Sequence, residues 1–235
     1  IIALDAMKYN VVVTSFTHKA CSVIATHMQT LEQHLRNKIV PITLHSLLNL
    51  KPGRAEYGKP ETFTQLRAPD LHDVDETGAT FEENALLKAR EMSLAAGIPA
   101  IADDSGLCVD FLNGDPGIFS ARWAGIHGDD RANTAKVLES LIGVPDEKRS
   151  AHFTCVAALA LPDGRTHVEE AHFDGWILQS PIGDQGFGYD PIFRPEGYEI
   201  SSAQMSADAK DAISHRGKSL RAIAPHVLTL LNSLG

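Results

Sequence analysis

The sequence predicts an α/β protein in which a mixed sheet is flanked by helices. Two patterns predict this class: short runs of contiguous apolar residues, typical of buried strands, and longer segments whose apolar residues recur every three or four positions, as on one helix face. The two kinds of segment alternate along 235 residues, a length that buries one substantial core. We therefore expect a single domain over residues 1–235.

The composition argues against several functional classes. The chain carries 21 Lys and Arg against 30 Asp and Glu, a formal net charge of −9, which disfavours general nucleic-acid binding. No apolar run reaches the roughly 18 residues that a membrane span requires. The first residues lack the pattern of a secretory signal, so we expect a cytoplasmic protein with no membrane partner.

The N-terminal third is predicted from its apolar pattern and its prolines. Residues 9–14 contain contiguous β-branched residues typical of a short buried strand. Residues 19–35 place their apolar side chains on one helical face. Residues 36–74 contain several prolines and glycines around the strand-like segment NKIVPITL, so we expect a short strand followed by a long irregular insertion.

A helix over residues 81–96 is predicted from its two ends. Thr80 and Glu83 fit a capping box, in which the threonine hydroxyl accepts from the Glu83 amide and the glutamate side chain reaches back to the Thr80 amide. Gly97 is typical of the residue that ends a helix.

The remaining elements are predicted from the same signals, with turn residues between them. Pro225 is expected to kink or restart the last helix. In chain order, the predicted elements are a buried strand over 98–102, a strand over 108–112, a helix over 129–142, a hairpin of strands 151–161 and 165–173 around the turn PDGR, and helices over 207–215 and 217–233.

The segment DDSG at 103–106 follows directly on the predicted buried strand. Ligands gather at strand ends in open α/β sheets, and adjacent strand residues point opposite ways, so one carboxylate can hold a loop while the other faces a cleft. Mg²⁺ prefers one or two carboxylates with phosphate oxygens and water, and Asp75 or Glu76 could complete such a site. The alternative is that DDSG forms a simple turn.

The segment GDQGFGYDP at 183–191 combines glycines with two aromatic side chains. Glycines let backbone amides approach a ligand closely, while Phe187 and Tyr189 offer flat faces on which a base could stack. The alternative is a tight turn that enters a strand, with both aromatic side chains in the core.

Two further segments carry basic and hydroxyl side chains. Lys210 lies one helical turn before Ser214. Arg216 offers a planar group suited to phosphate or to a base carbonyl, and the neutral His215 ring can donate a hydrogen bond. The alternative is a solvated helix end. A strand-to-helix turn could hold phosphates, or could be a plain helix cap; its residues are Thr14, Ser15, Phe16, Thr17, His18 and Lys19.

The other histidines and the cysteines indicate no metal centre. The three cysteines form no CxxC pair or Cys/His cluster, so we expect small buried apolar residues. Five histidines show no spacing typical of metal binding and are expected at the surface or in the core: His127, His152, His167, His172 and His226.

Four of these segments, in this order, resemble the noncanonical purine nucleoside triphosphate pyrophosphatases, the inosine and xanthosine triphosphatase family. The resemblance covers about two thirds of the chain, from residue 75 onward. The matching segments are ETGATFEENALLKA at 76–89, PAIADDSGLCVDFLNGDPGIFSARWAG at 99–125, GFGYDPIF at 186–193 and AISHRGKSL at 212–220.

The resemblance implies two lobes around a central nucleotide-binding cleft, a homodimer, and Mg²⁺-dependent cleavage of a purine nucleoside triphosphate to the monophosphate and pyrophosphate. It implies that Asp104 is the catalytic carboxylate and, with Asp75, binds the metal, with Glu76 its near neighbour. The substrate contacts that it implies are the turn from Thr14 to Lys19 and Ser105, Phe187, Gly188, Tyr189, Asp190, Lys210, His215 and Arg216.

The chain departs from the family pattern in the N-terminal turn, where Phe16 stands in place of the family's asparagine. An aromatic ring cannot orient phosphates as an amide side chain does. A nucleotide-binding protein with impaired catalysis therefore stays open as an alternative. A second alternative is a pyrophosphatase for another modified nucleotide. The insertion at 36–74 also exceeds what the family pattern needs.

Overall fold

The structure is a computed structural model that describes residues 74–232 and three short N-terminal strands, β1 (Ile2–Leu4), β2 (Thr14–Ser15) and β3 (Ile39–Thr43). Strand β3 lies between the other two, antiparallel to β1 and parallel to β2. The strand predicted within NKIVPITL is confirmed by β3. The helix predicted over 19–35, most of the insertion and most of the strand predicted over 9–14 lie outside the described residues.

A four-stranded antiparallel sheet forms the centre of the described chain. In chain order its strands are β4 (Ala100–Val109), β5 (Ser150–Ala160), β6 (Thr166–Ile177) and β7 (Phe193–Pro195). Strands β5 and β6 confirm the predicted hairpin, whose turn is closed by the Leu161 amide donating to the Arg165 carbonyl at 2.9 Å. With the parallel pair β2–β3, the described strands give the mixed α/β architecture that the sequence predicts.

Strand β4 corrects the prediction of two separate strands at 98–102 and 108–112. Residues 103–106, predicted to follow the end of the first strand, lie inside β4 and pair with residues 154–157 of β5. The apolar run of β5 offers β4 a continuous partner, and this pairing outweighs the turn propensity of Asp, Ser and Gly. A 3₁₀ helix, Asp110–Leu112, then takes the place of the second strand.

The described chain contains four α-helices: α1 (Phe81–Ala96), α2 (Asp130–Ser140), α3 (Ala207–Ile213) and α4 (His215–Asn232). The Thr80 hydroxyl caps α1 as predicted, and Gly97 ends it with a φ of 68°. The Glu83 carboxylate accepts from the Ala79 amide at 2.6 Å, one residue before the predicted Thr80. Pro225 lies inside α4, which runs on beyond it, so of the two predicted alternatives, a kink or a restart, the restart does not occur.

Helices cover both faces of the antiparallel sheet. Ala85 and Ala89 of α1 pack against one face, on the alternate β5 residues Val156, Ala158 and Ala160. Helix α4 packs on β5 and β6 from the other face, where α2 also contributes to the larger core cluster of Leu107, Val109, Val137, Leu141, Phe153, Phe173 and Phe193. No helix among the described residues is both long and apolar enough to span a membrane.

Candidate active site

Asp104 is buried beneath α1 and is held by two side chains of that helix. Lys88 Nζ donates to Asp104 Oδ1 at 2.9 Å, and Asn84 Nδ2 donates to Oδ2 at 3.2 Å. Asn84 and Lys88 lie one helical turn apart, beside Ala85 and Ala89. The small alanine side chains let α1 approach the sheet closely, so both polar side chains reach the carboxylate below them.

A second carboxylate shares the Lys88 ammonium. Glu76 Oε1 accepts from Lys88 Nζ at 3.0 Å, and its Oε2 accepts from Arg122 Nη1 at 3.3 Å. Lys88 therefore bridges Glu76 and Asp104, with its side chain only 10% exposed. Two acids and two cations make up this cluster, which we call the carboxylate centre.

The carboxylate centre includes Glu76 where the resemblance implied Asp75. Asp75 is exposed, whereas Glu76 is half-buried. The Gly78 amide donates to Asn84 Oδ1 at 2.8 Å and anchors this segment against α1. A side chain at Gly78 would meet Asn84 Oδ1 at 2.7 Å, so the absence of a Cβ lets the segment lie close to the helix. Glu76 is then the acid that reaches Lys88.

The two acids of the carboxylate centre differ in proton affinity. Burial raises the pKa of Asp104 above its ordinary value, against the attraction of Lys88. Burial acts in the same direction on Glu76, but Lys88 and Arg122 outweigh it and lower the pKa of that carboxyl. For Lys88, burial is outweighed by Asp104 and the other acids, so its pKa is raised. A charged lysine therefore lies between two acids, of which Asp104 binds a proton more tightly.

Asp103 points to the opposite face of β4 and binds Arg216 at the start of α4. Arg216 Nε donates to Asp103 Oδ2 at 2.9 Å, and Arg216 Nη2 donates to Ser105 Oγ at 2.8 Å. Behind this pair, Cys155 Sγ lies 3.7 Å from Asp103 Oδ2 and 3.2 Å from Ser219 Oγ. Two residues of β4 thus hold the guanidinium plane in one orientation.

His215 is buried next to this ion pair. Its ring stacks on Phe153 with a centroid distance of 4.9 Å and an interplanar angle of 9°. Burial lowers the pKa of His215 well below its ordinary value, and the neighbouring Arg216 and Lys210 act in the same direction. His215 is therefore neutral, and its Nδ1 has no hydrogen-bond partner among the described residues.

The glycine-rich loop is organised around Asp190. This carboxylate is buried, pairs with the Lys210 ammonium and accepts from the Phe187 amide at 2.8 Å. A Cβ at Gly186 would lie 2.0 Å from Asp190 Oδ2, so only glycine fits there. The Phe187 ring is exposed, and two cations lie near it. Lys210 Nζ is 5.2 Å from the ring centroid, and Arg216 Cζ is 5.9 Å from it.

Tyr189 lies in the core and presents no face to a base. It is 5% exposed, and its hydroxyl donates to the Ser120 carbonyl at 2.8 Å. Of the two aromatic side chains in the loop, only Phe187 offers an open ring. Gly188 donates its amide to Asp130 Oδ2 at 2.7 Å, which ties this part of the loop to the start of α2.

The same segments match a known family along most of the chain. The model of the Ham1 family matches residues 47–226. The chain belongs to the Ham1 family.

Curated relatives support this membership. The chain is 55% identical over 178 residues to a dITP/XTP pyrophosphatase of Streptomyces coelicolor, an alignment that covers 75% of this chain and 89% of the relative. A dITP/XTP pyrophosphatase of Nocardia farcinica is 52% identical over 162 residues, with coverage of 69% and 79%.

Solved structures of Ham1 relatives share the fold. The structure of a nucleoside-triphosphatase, dITP/XTP pyrophosphatase, from Mycobacterium abscessus has a TM-score of 0.68 at 39% identity and covers 92% of this chain and 98% of its own. A HAM1 protein from Coxiella burnetii has a TM-score of 0.72 at 34% identity, with coverage of 93% and 98%.

Within this Ham1 chain, only part of the predicted phosphate turn lies among the described residues. Strand β2 (Thr14–Ser15), which contains the start of the predicted phosphate turn, contacts β4. The other residues of the turn lie outside the described part of the chain: Phe16, Thr17, His18 and Lys19.

Sequence reasoning missed three side chains that contact Asp104 or Glu76: Asn84, Lys88 and Arg122. A signal for the first two is present, because each precedes an alanine of the α1 face that packs on the sheet. Polar residues next to the small residues of a packed face are candidates for buried contacts. Arg122 is the last residue of a second 3₁₀ helix, Gly117–Arg122, and has no comparable signal.

Proposed function

We propose that this protein hydrolyses the noncanonical purine nucleoside triphosphates dITP, XTP and ITP, with Mg²⁺, to the nucleoside monophosphate and pyrophosphate. The observation that carries the proposal is the buried Lys88 ammonium between the carboxylates of Asp104 and Glu76. Membership of the Ham1 family, whose curated relatives are named dITP/XTP pyrophosphatases, supports the substrate class.

The carboxylate centre has the donor chemistry of a magnesium site. Mg²⁺ prefers one or two carboxylates together with water and phosphate oxygens. Asp104 and Glu76 supply two such carboxylates, and both already contact the same cation, Lys88 Nζ. We assign the metal to Asp104 and Glu76 and not to Asp75, because Asp75 is exposed and Glu76 contacts Lys88. When bound, Mg²⁺ would neutralise phosphate charge and polarise the scissile phosphoryl group.

The side chains around Asp104 suit it to accept a proton from the attacking water. Lys88 and Asn84 each hold one oxygen of its carboxylate, so its orientation is set before substrate binds. Lys88 also supplies positive charge where the triphosphate carries about four negative charges. As water attacks, its oxygen forms a bond to phosphorus, one proton passes to Asp104, and the bond to the bridging phosphate oxygen breaks to release pyrophosphate.

The opposite face of β4 has the chemistry of a base site. Phe187 offers an exposed ring on which a purine can stack. Arg216 is held by Asp103 and Ser105, and the guanidinium carries five N–H donors in all, so further donors can face a six-position carbonyl. Adenine carries an amino group there, which would leave a donor unpaired at a cost of about 1–3 kcal/mol.

The family resemblance implies a homodimer, which light scattering after size-exclusion chromatography would test. An enzyme that removes damaged nucleotides from the pool would act in the cytoplasm.

The decisive experiment measures pyrophosphate release by the purified protein from dITP, XTP, ITP, ATP and GTP, with Mg²⁺ and with EDTA. We expect metal-dependent release from the first three, a loss of about 10²-fold or more in Asp104→Asn, and no loss in the control Asp163→Asn, which changes an exposed turn residue. Release from another modified nucleotide alone would reassign the substrate. Purine nucleotide binding without pyrophosphate release would identify a binding protein with impaired catalysis.

A further inference from the structure

His167, Glu169 and His226 form a cluster that the proposed reaction does not use. His167 Nε2 lies 2.8 Å from Glu169 Oε1, and His226 Nε2 lies 3.2 Å from the same oxygen. The two imidazole rings stack with a centroid distance of 3.7 Å and an interplanar angle of 24°. Two ring nitrogens thus converge on one carboxylate oxygen.

Tertiary structure creates this cluster from residues whose spacing indicated nothing. His167 and Glu169 are two apart in β6, so their side chains point to the same face. That is the face on which α4 packs, and α4 brings His226 to it. Both histidines are at least partly exposed, which agrees with the expectation that they lie at the surface or in the core.

We propose that His167, Glu169 and His226 form a binding site for a borderline transition-metal cation, of which Zn²⁺ is the probe of choice. The donor set is two imidazole nitrogens and one carboxylate oxygen, all within 4.8 Å of one another. Ligand atoms about 2.0–2.1 Å from a tetrahedral zinc are about 3.3 Å apart, so a small side-chain adjustment completes the geometry. Water would occupy the fourth position, because the side chains stay 28–47% exposed.

Convergence on a shared oxygen distinguishes this cluster from the other histidine pair of the sheet. His152 Nδ1 lies 3.8 Å from Asp110 Oδ1, whereas His172 Nε2 lies 3.1 Å from Glu170 Oε1, so the two rings approach separate carboxylates. In the proposed site both Nε2 atoms already face one point. A neutral ring that donates from Nε2 needs only to move its proton to Nδ1 to present a lone pair to the cation.

A cation at this site would join β6 to the C-terminal half of α4. Helix α4 begins with His215 and Arg216, and His226 lies ten residues after Arg216, about 15 Å along the helix. The bound ion would hold α4 against the sheet and stabilise the folded chain, because the unfolded chain does not bring β6 and α4 together.

The test is thermal unfolding of the protein without a histidine tag, in millimolar Mg²⁺, with and without micromolar Zn²⁺. At a free Zn²⁺ concentration about 100-fold above Kd, we expect the Tm to rise by about 5 °C or more. His226→Ala and Glu169→Gln should lose this rise, whereas the control His172→Ala should keep it. Competition with a chromophoric chelator should give one tightly bound Zn²⁺ per chain, and none in His226→Ala.

The proposal is independent of the proposed catalytic reaction, and Asp104→Asn separates the two. If the Zn²⁺-dependent rise in Tm survives in Asp104→Asn and is lost in His226→Ala, the ion binds at the proposed site. If the rise is lost in Asp104→Asn and kept in His226→Ala, Zn²⁺ binds at the carboxylate centre and the proposal is overturned. No rise in the wild type also overturns it.

Discussion

Asp103 and Asp104 are consecutive residues of β4, yet they bind cations on opposite faces of the sheet. Asp103 Oδ2 accepts from Arg216 Nε of α4 at 2.9 Å, and Asp104 Oδ1 accepts from Lys88 Nζ of α1 at 2.9 Å. The alternation of side chains along a strand imposes this division. One strand therefore joins the carboxylate centre to the proposed base site, and the two acids can be tested for different roles.

Asp103→Asn should weaken base discrimination more than turnover. Asp103 holds the guanidinium of Arg216, and Arg216 and Lys88 together keep the pKa of Asp103 below its ordinary value against the effect of burial. Without the carboxylate, Arg216 is less well oriented, and we expect the ratio of kcat/KM for dITP over dATP to fall about tenfold. Steady-state kinetics measure this ratio. A loss of kcat with an unchanged ratio, as expected for Asp104→Asn, would contradict the positioning role.

Substitutions of the two aromatic side chains in the glycine-rich loop should have different effects, one on substrate binding and the other on the free energy of unfolding. Phe187→Ala removes an exposed ring, and since stacking on a base is worth about 1–3 kcal/mol, KM for dITP should rise about tenfold with little change in the free energy of unfolding. Tyr189→Phe removes a buried hydrogen bond to the Ser120 carbonyl, which should lower that free energy by about 1 kcal/mol and leave KM unchanged. Kinetics and urea unfolding of both variants give the comparison, and the reverse pattern would exchange their roles.

Gly186→Ala and Gly188→Ala form a matched pair in the same loop. Both glycines have positive φ, 77° and 59°, but a Cβ at Gly186 would meet Asp190 Oδ2 at 2.0 Å, whereas a Cβ at Gly188 meets no atom within 4 Å. Gly188→Ala should cost only the left-handed penalty, about 1–2 kcal/mol. Gly186→Ala should cost more and also raise KM, because it displaces the carboxylate that holds Lys210 and Phe187. Equal costs in urea unfolding would show that the loop relaxes around the clash.

The buried His215 should make the protein less stable in mild acid. Burial lowers its folded-state pKa well below 6.5, so as the pH falls below 6.5 the unfolded chain binds a proton that the folded chain does not. Because the unfolded state then binds more protons, the free energy of unfolding falls with the pH, by up to about 1.4 kcal/mol per unit from this group. His215→Phe should flatten this slope, as measured by urea unfolding between pH 7 and pH 5.

A matched control for the pH experiment is His127→Gln, which changes an exposed histidine. It should keep the wild-type slope. If His215→Phe shows the same slope as the wild type, the loss of stability in acid comes from other groups.

Caps and turn residues in the sequence were sufficient to predict much of the fold. The cap at Thr80 and the glycine at Gly97 bound a helix that the structure places at residues 81–96, and the PDGR turn predicts the hairpin of β5 and β6. Each of these features depends on residues a few positions apart. The family could also be recognised from the sequence, because its motifs are short contiguous segments whose identification does not require the fold.

Contacts between segments far apart in the chain determined the features that could not be predicted from the sequence. The segment 103–106 has the composition of a turn, yet partners in β5 draw it into a strand, and the strand then determines which helix each acid faces. Long-range packing likewise places Lys88 between Glu76 and Asp104, sends Tyr189 into the core while Phe187 stays exposed, and brings His226 to His167. The local elements and the motifs follow from the sequence, since they depend on neighbouring residues. Which side chains meet depends on the three-dimensional packing, because burial and strand register act between segments far apart in the chain.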